Sequence, residues 1–198
     1  MTEAAASRRI LTIPNLVSFV RILTIPVFWW VLLVEENVPV AAWIVFVVGW
    51  TDWIDGFLAR RLDQESELGK ILDPVADRLM IASALIGGLI AGALPIWFGW
   101  GLIAREVLVG GMALNLAARG GGTIEVRWLG KAATFALYGA IPAFYLAAGG
   151  MAEELMEPIA WLLGIIGLGL YWWVAVLYIG DSRAKLSAVE SPRDAEEV

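Results

Sequence analysis

The sequence contains no cysteine and no histidine among its 198 residues. Disulfides, thiolate nucleophiles, imidazole bases and Cys/His zinc sites are therefore all excluded. Charged residues are also scarce, at 17% of the chain, whereas 60% of the residues are hydrophobic. Soluble domains are on average about a quarter charged. The composition predicts an integral membrane protein without a nucleic-acid footprint, whose chemistry depends on carboxylate, Lys, Arg, Tyr or hydroxyl groups.

Six apolar segments are each long enough to cross a bilayer core, which takes about 20 residues. Backbone groups in lipid must be paired within their own segment, so each segment is expected to be an α-helix. The sequence thus predicts an all-α integral membrane protein with a six-helix transmembrane domain over residues 15–180. The predicted helices cover residues 15–34, 39–61, 69–92, 95–118, 131–149 and 157–180.

Polar segments flank this domain at both ends. Residues 1–14 contain no uninterrupted apolar core followed by a cleavage site, so they are not predicted to be a signal peptide. Residues 3–12 are expected to form a short interfacial helix. Residues 181–198 are expected to be a polar, disordered tail.

The positions of Lys and Arg predict the orientation in the membrane. Connectors near residues 35–38, 92–95 and 150–156 contain neither residue. The N-terminus, the connectors near 60–70 and 119–131, and the C-terminus contain nearly all of them. The positive-inside rule places both termini in the cytoplasm, and it places the aspartates described next on the same side.

Four aspartates stand out in the apolar background: Asp52 and Asp55 are three residues apart, and Asp73 and Asp77 are four apart. Each pair therefore occupies one face of its own helix. Such carboxylates need cations beside lipid, and oxygen ligands without His or Cys favour Mg²⁺ or Mn²⁺. The alternative is that they cap helix ends or face water, which the phasing of two pairs disfavours.

Residues around the aspartates indicate phosphoryl chemistry. Two divalent ions about 4 Å apart are a recurring means of neutralising a pyrophosphate and stabilising its displacement. Gly56 follows Asp55 directly and lets a phosphate approach the backbone. Arg60, one turn later, can bind phosphate oxygens. The pattern predicts a metal-assisted pyrophosphate site at the membrane surface.

The spacing of these residues resembles the signature of the CDP-alcohol phosphatidyltransferases over about residues 10–185. Asp52 supplies the aspartate that precedes the signature. Ser18 lies within a segment similar to the family's Asn-x-x-Thr-x-x-Arg, with Ser in place of Thr, and Asn15 and Arg21 are its other fixed positions. The signature matches without a gap at Asp55, Gly56, Ala59, Arg60, Gly69, Asp73 and Asp77.

The resemblance implies a reaction and a role for each of these residues. Asp52, Asp55 and Asp73 would ligate two divalent ions, Mg²⁺ or Mn²⁺, with Asp77 as a further ligand and the catalytic base. A base is needed in any case because an alcohol is a poor nucleophile at neutral pH. The acceptor hydroxyl would attack the phosphorus of CDP-diacylglycerol that bears the diacylglycerol, and CMP would leave. The residues implied to bind CDP are Asn15, Arg21, Gly56, Ala59, Arg60 and Gly69.

The segments around Arg105 and Lys131 resemble members of the family that use glycerol-based acceptors. Both residues are candidates for binding the acceptor. The alternatives are a bundle-internal ion pair for Arg105 and an interfacial, snorkelling side chain for Lys131. The resemblance also implies a homodimer in a bacterial plasma membrane.

Two cationic positions typical of phosphatidylglycerophosphate synthases are missing, one in residues 110–114 and one two positions after Lys131. Glycerol 3-phosphate carries nearly two negative charges, whereas phosphatidylglycerol carries one. The less basic site favours phosphatidylglycerol as acceptor, and the segments LGKAATFALYGAIP and LYWWVAVLYIGD resemble actinobacterial-type members that include cardiolipin synthases. Glycerol 3-phosphate and inositol phosphate remain alternatives.

A different class of function is an ion or proton-coupled transporter with carboxylates along its path. The aspartates cluster at one face rather than at the midplane, and no inverted repeat of interrupted helices is visible. A purely structural membrane protein would have no reason to hold Arg21, Arg105 and Glu106 within its spans.

Overall fold

The computed structural model describes residues 13–62, 67–120 and 128–190, with the side chains of residues 13–15, 52–62, 67–71, 73, 74 and 186–190 outside that description. The described residues form six α-helices joined by short connections. The helices are α1 (Ile13–Leu33), α2 (Val38–Leu62), α3 (Glu67–Ile90), α4 (Ile96–Ala118), α5 (Trp128–Ala148) and α6 (Glu153–Glu190). The interfacial helix predicted for residues 3–12 lies outside the described residues.

Each helix corresponds to one of the six predicted segments, which confirms the all-α architecture. The largest difference is at α6, which continues to Glu190 although the predicted segment ends at residue 180. The prediction of a disordered tail is therefore wrong for residues 181–190. This stretch contains no Gly or Pro, so no residue in it interrupts the helix.

Three stretches in the described part of the chain are long and apolar enough to cross a membrane: Leu16–Leu33, Ile96–Ala118 and Glu153–Lys185. They lie in α1, α4 and α6. A shorter apolar stretch, Val38–Thr51, begins α2. Because α2 and α3 also contain the aspartates and several basic residues, their apolar runs are interrupted.

The helices form one bundle in which α5 and α6 make the most extensive contact. α1 packs against α2 and α3, α2 packs against α5, and α4 packs against α6 and α3. Phe28, Phe98 and Tyr145 are fully buried in the core that these contacts create. The Tyr145 hydroxyl donates a hydrogen bond of 2.6 Å to the Ala84 carbonyl and so connects α5 to α3.

Two consecutive glycines in the second half of α3 allow side chains from neighbouring segments to pack closely against this helix. A Cβ at Gly87 would lie 2.8 Å from a methyl carbon of Leu32, and one at Gly88 would lie 2.6 Å from Leu94 Cγ. Larger side chains at these positions would separate α3 from its neighbours. This close packing fixes the half of α3 that follows Asp77.

Candidate active site

The backbone brings the two aspartate pairs to the same end of the bundle. Asp52 and Asp55 lie in the second half of α2, and Asp73 and Asp77 lie in the first half of α3. These helices are consecutive, separated by residues 63–66, and in contact with each other. Asp77 alone among the four has a described side chain, so the convergence of the four carboxylates stays a prediction.

The other residues assigned to the CDP group lie on α1, α2 and α3. Of that set, Arg21 has a described side chain. The remaining members fall in the described backbone but outside the described side chains, and their roles stay predictions. They are Asn15 in α1, Gly56, Ala59 and Arg60 in α2, and Gly69 in α3.

Asp77 is paired with Arg21, which reaches it from α1. Nη1 of Arg21 donates a hydrogen bond to Oδ1 of Asp77. The Arg21 side chain is only 4% exposed, whereas that of Asp77 is 26% exposed. A buried guanidinium needs an opposite charge beside it, and Asp77 supplies one. The structure therefore brings together two residues that the sequence assigned to one site.

A small cavity of about 30 Å³ lies beside this pair, between α1, α2, α3 and α5. We call it the Asp77 cavity. Its charged lining consists of Arg21 and Asp77, and most of its other lining residues are apolar. The absence of a side chain at Gly49 keeps it open, because a Cβ there would lie 3.1 Å from Cδ1 of Tyr138.

Glu106 is the centre of a second charged group, which joins α3, α4 and α6. Its Oε2 accepts a hydrogen bond of 2.5 Å from Nη1 of Arg78. Its Oε1 accepts one of 2.9 Å from Nη1 of Arg105 and another from the Tyr171 hydroxyl. Sequence reasoning missed Arg78 and Tyr171. The position of Arg78 directly after Asp77 was a usable signal, whereas nothing in the pattern pointed to Tyr171.

Arg105 is directed into this group. It is 6% exposed, and its guanidinium carbon lies 3.5 Å from the centroid of the Tyr171 ring. Its Nε also donates to the Tyr171 carbonyl at 3.4 Å. These contacts are those of a bundle-internal ion pair, the alternative considered for Arg105, so acceptor binding by this residue stays a prediction.

Lys131 lies in the first turn of α5 and is exposed. It lines neither the Asp77 cavity nor the second cavity, which is described next. An exposed lysine near a helix end has the geometry of a snorkelling side chain. Its predicted role in acceptor binding is therefore not tested by these contacts.

A second cavity lies between α3, α4, α5 and α6, and we call it the Glu106 cavity. Its polar lining residues are Glu106, Thr134, Tyr138 and Tyr171. It shares Ile81, Tyr138 and Ile141 with the Asp77 cavity, so these three side chains form a wall between the two spaces.

The predicted metal ligands fit a divalent ion by their chemistry. All four are carboxylates, and hard ions such as Mg²⁺ and Mn²⁺ prefer oxygen ligands. Asp77 is partly exposed and reachable from outside the bundle. Among the described side chains there is no group of three or more potential ligands, because three of the four aspartates lie outside that part of the chain.

Comparison with known proteins identifies the family. The family model for CDP-alcohol phosphatidyltransferase matches residues 11–179. The chain belongs to the CDP-alcohol phosphatidyltransferase family. It is therefore an enzyme of phospholipid biosynthesis, which confirms the predicted class over the transporter alternative. The cardiolipin synthase (CMP-forming) of Streptomyces coelicolor is 40% identical over 186 residues, covering 91% of this chain and 86% of that protein.

Two relatives from Mycobacterium tuberculosis have different names at nearly the same similarity. A putative cardiolipin synthase is 36% identical over 183 residues, covering 90% of this chain and 86% of that protein. A probable phosphatidylglycerophosphate synthase is 35% identical over 172 residues, covering 83% of this chain and 81% of that protein. Because the chain is almost equally similar to both relatives, sequence identity does not decide between phosphatidylglycerol and glycerol 3-phosphate as the acceptor. The residues of the site must decide between them.

Proposed function

We propose that this enzyme transfers the phosphatidyl group of CDP-diacylglycerol to phosphatidylglycerol, forming cardiolipin and CMP. The observation that carries the proposal is the engagement of Arg105. Its buried guanidinium is already committed to Glu106 and Tyr171. Its charge is therefore already offset by Glu106 before an acceptor phosphate arrives.

The charge of the acceptor decides which of the two substrates this observation favours. Glycerol 3-phosphate carries nearly two negative charges and needs Arg or Lys partners in a site of low dielectric constant. Residues 110–114 and the position two after Lys131 contain no such partner. Phosphatidylglycerol carries one negative charge, and its acyl chains add apolar contacts. The site fits the lipid acceptor better.

The chemistry follows from the carboxylates. Asp52, Asp55, Asp73 and Asp77 would hold two divalent ions, Mg²⁺ or Mn²⁺, which supply charge neutralisation to the CDP diphosphate when they are bound. Asp77 accepts the proton of the attacking acceptor hydroxyl. The acceptor oxygen then forms a bond to the phosphorus that bears the diacylglycerol, and the bond from that phosphorus to the CMP oxygen breaks.

Other residues of the chain prepare this displacement. Arg21 holds the Asp77 carboxylate in one orientation from α1 and so acts as a positioning residue. Gly56 and Arg60 would receive the CDP phosphates, as the family signature implies. Ala59 and Gly69 would leave room for the nucleotide. Asn15 would contact the CDP group from the start of α1.

We further propose that residues 15–180 form one catalytic domain of six membrane-crossing helices, between a cytoplasmic N-terminal segment 1–14 and a cytoplasmic tail 181–198. The helices without a membrane-length apolar stretch among the described residues, α2, α3 and α5, also expose large hydrophobic side chains, which supports lipid contact. Trp43 and Val47 of α2, Ile86 of α3 and Phe135 of α5 are 48%, 55%, 45% and 64% exposed.

The absence of cysteine makes the topology directly testable. Met151→Cys in the α5–α6 connection is expected to react with a membrane-impermeant maleimide on intact cells. Ala184→Cys near the end of α6 is expected to react only after permeabilisation. Labelling of both residues from the same side would contradict the proposed orientation.

Cross-linking of the purified enzyme in detergent tests the homodimer that the family resemblance implies.

The acceptor is tested with purified protein, CDP-diacylglycerol and Mg²⁺ or Mn²⁺, with one acceptor in each reaction. Phosphatidylglycerol is expected to yield cardiolipin and metal-dependent CMP release. Phosphatidylglycerophosphate formed from glycerol 3-phosphate alone would reverse the assignment of the acceptor and leave the reaction class intact. Inositol phosphate is the third acceptor in this series, because members of the family that use it share the same motif.

A further inference from the structure

Three of the four polar side chains that line the Glu106 cavity present hydrogen-bond acceptors to a ligand. Thr134 donates its one hydroxyl proton to the Gly130 carbonyl at 2.7 Å, and Tyr171 donates its own to Glu106. A hydroxyl has one donor and retains acceptor lone pairs after donating. Oε2 of Glu106 accepts one described bond, from Arg78, and has capacity for another. Thr134, Tyr171 and Glu106 can therefore accept further hydrogen bonds but have no proton left to donate.

The charge of the cavity matches this pattern. Of the described residues that line it, Glu106 alone carries a charge. A phosphate group offers only acceptor oxygens and negative charge, so it would meet lone pairs and a carboxylate there. An alcohol offers O–H donors and no charge. The cavity therefore selects hydroxyl groups over phosphate groups.

The cavity also lies close to the catalytic carboxylate. Ile81 lines it and follows Asp77 by four residues on α3, a rise of about 6 Å along the helix. Its volume is about 30 Å³, the same as that of the Asp77 cavity. A space that holds little more than one water-sized group suits a single hydroxyl rather than a whole polar head or acyl chains.

We propose that the Glu106 cavity binds the secondary hydroxyl of the acceptor's glycerol unit, with Thr134 as a residue that determines specificity. The neighbouring primary hydroxyl then lies outside the cavity, from where it must reach Asp77 around the wall of Ile81, Tyr138 and Ile141 for attack. The inference rests on the proposed function in requiring a glycerol-based acceptor. It adds a subsite that recognises a hydroxyl of the glycerol unit, and the acceptor phosphate stays outside the cavity.

The test compares two acceptors that differ by one hydroxyl. Phosphatidylglycerol has the secondary hydroxyl, and phosphatidyl-1,3-propanediol lacks it but keeps the primary hydroxyl that attacks. The wild-type enzyme is expected to prefer phosphatidylglycerol by about tenfold in kcat/KM for CMP release, the size of one net hydrogen bond. Equal kcat/KM values for the two lipids in the wild type would overturn the inference.

Variants of Thr134 locate the contact. Thr134→Val keeps the shape of the side chain and removes the oxygen, so the preference is expected to fall to about twofold or less, whereas Thr134→Ser is expected to retain it. Thr24→Val is the matched control, because Thr24 makes the same bond to the preceding turn, 2.8 Å to the Val20 carbonyl, and lines neither cavity. A merely structural role for Thr134 would slow both acceptors equally, and an unchanged preference in Thr134→Val would overturn the inference.

A second variant covers the case in which Thr134→Val is poorly folded. Tyr171→Phe removes a second hydroxyl oxygen of the cavity and is also expected to lower the preference. If CMP is released only with glycerol 3-phosphate, the acceptor assignment fails, and the same comparison with 1,3-propanediol phosphate tests the cavity by itself. If no acceptor releases CMP, the proposed function fails and the inference fails with it.

Discussion

The two cavities lie on opposite sides of one wall, yet their chemistry differs. The Asp77 cavity has its charged residues, Arg21 and Asp77, facing each other, and its remaining lining is largely apolar. The Glu106 cavity holds a carboxylate together with three hydroxyl-bearing side chains. This difference agrees with the division of tasks that we propose, in which one space adjoins the base and the other receives a hydroxyl of the acceptor.

α3 belongs to both spaces. Asp77 faces Arg21 on one side, whereas the adjacent Arg78 reaches Glu106 on the other. The second half of the same helix is fixed by its close packing at Gly87 and Gly88. A shift of α3 would therefore disturb the proposed catalytic base and the Glu106 cavity together. Substitutions on either side of α3 distinguish the two spaces.

The largest effect is expected from Asp77→Asn. The substitution keeps the size of the side chain and removes both its basicity and its charge, so CMP release should fall at least about 10³-fold. Because the buried Arg21 then loses the counter-charge of Asp77, the melting temperature should also fall, so CMP release is compared for equal amounts of monodisperse, folded protein. Glu154→Gln, an exposed carboxylate in the first turn of α6, is the control and should retain full activity. Substantial activity in Asp77→Asn would remove Asp77 from the chemistry.

On the other side of the wall, Glu106→Ala should mainly destabilise the protein. It leaves the buried Arg105 without its counter-charge, which typically costs about 3–5 kcal/mol. The melting temperature in detergent should fall clearly. Arg78→Ala removes the exposed partner of the same carboxylate, at 66% exposure, and should cost no more than about 1 kcal/mol. Equal losses in the two variants would contradict the central place of Arg105 in this group.

A smaller effect is expected from Arg21→Lys. Lysine keeps the charge but loses the planar, forked geometry that orients the Asp77 carboxylate. We expect kcat to fall about tenfold or more, since small displacements of a catalytic group are costly. The KM for CDP-diacylglycerol should change little. A raised KM with an unchanged kcat would instead support the CDP-binding role that the family signature implies for Arg21.

The smallest effect concerns the wall itself. Gly49→Ala places a methyl group against the Tyr138 ring, and such overpacking costs about 1–3 kcal/mol if the ring cannot move. Movement of the ring towards the Glu106 cavity would also lower acceptor turnover. Gly169→Ala is the control, because a Cβ at that position in α6 meets nothing within 4 Å. Thermal melts and CMP release of both variants show whether the wall is rigid, and identical behaviour would show that it is not.

The sequence alone was enough to predict that Arg21 and Asp77 belong to one site. Fixed spacings within α2 and α3 placed the aspartates on helix faces, and the segment around Arg21 matched a second family pattern. Local spacing carries this information because side chains three or four residues apart share a helix face. The pairing of Arg21 with Asp77 spans 56 residues and was not itself predicted; the sequence assigned both residues to one site because both patterns belong to one family.

The Glu106 cavity was not predictable in the same way. Tyr171 is 65 residues from Glu106, and no periodic pattern relates them, because their contact depends on how α6 packs against α4. The continuation of α6 beyond residue 180 was missed for another reason. Polarity argued for a tail, but a polar stretch without Gly or Pro can extend an existing helix, since propagation is easier than nucleation.

The most direct test of the account is a single competition reaction. Purified enzyme receives CDP-diacylglycerol, Mg²⁺ or Mn²⁺, and equal concentrations of glycerol 3-phosphate and phosphatidylglycerol with deuterated acyl chains. We predict that mass spectrometry finds cardiolipin with one deuterated and one unlabelled diacylglycerol unit, with one CMP released for each molecule formed. Phosphatidylglycerophosphate as the main lipid product would contradict the account of a weakly basic acceptor site.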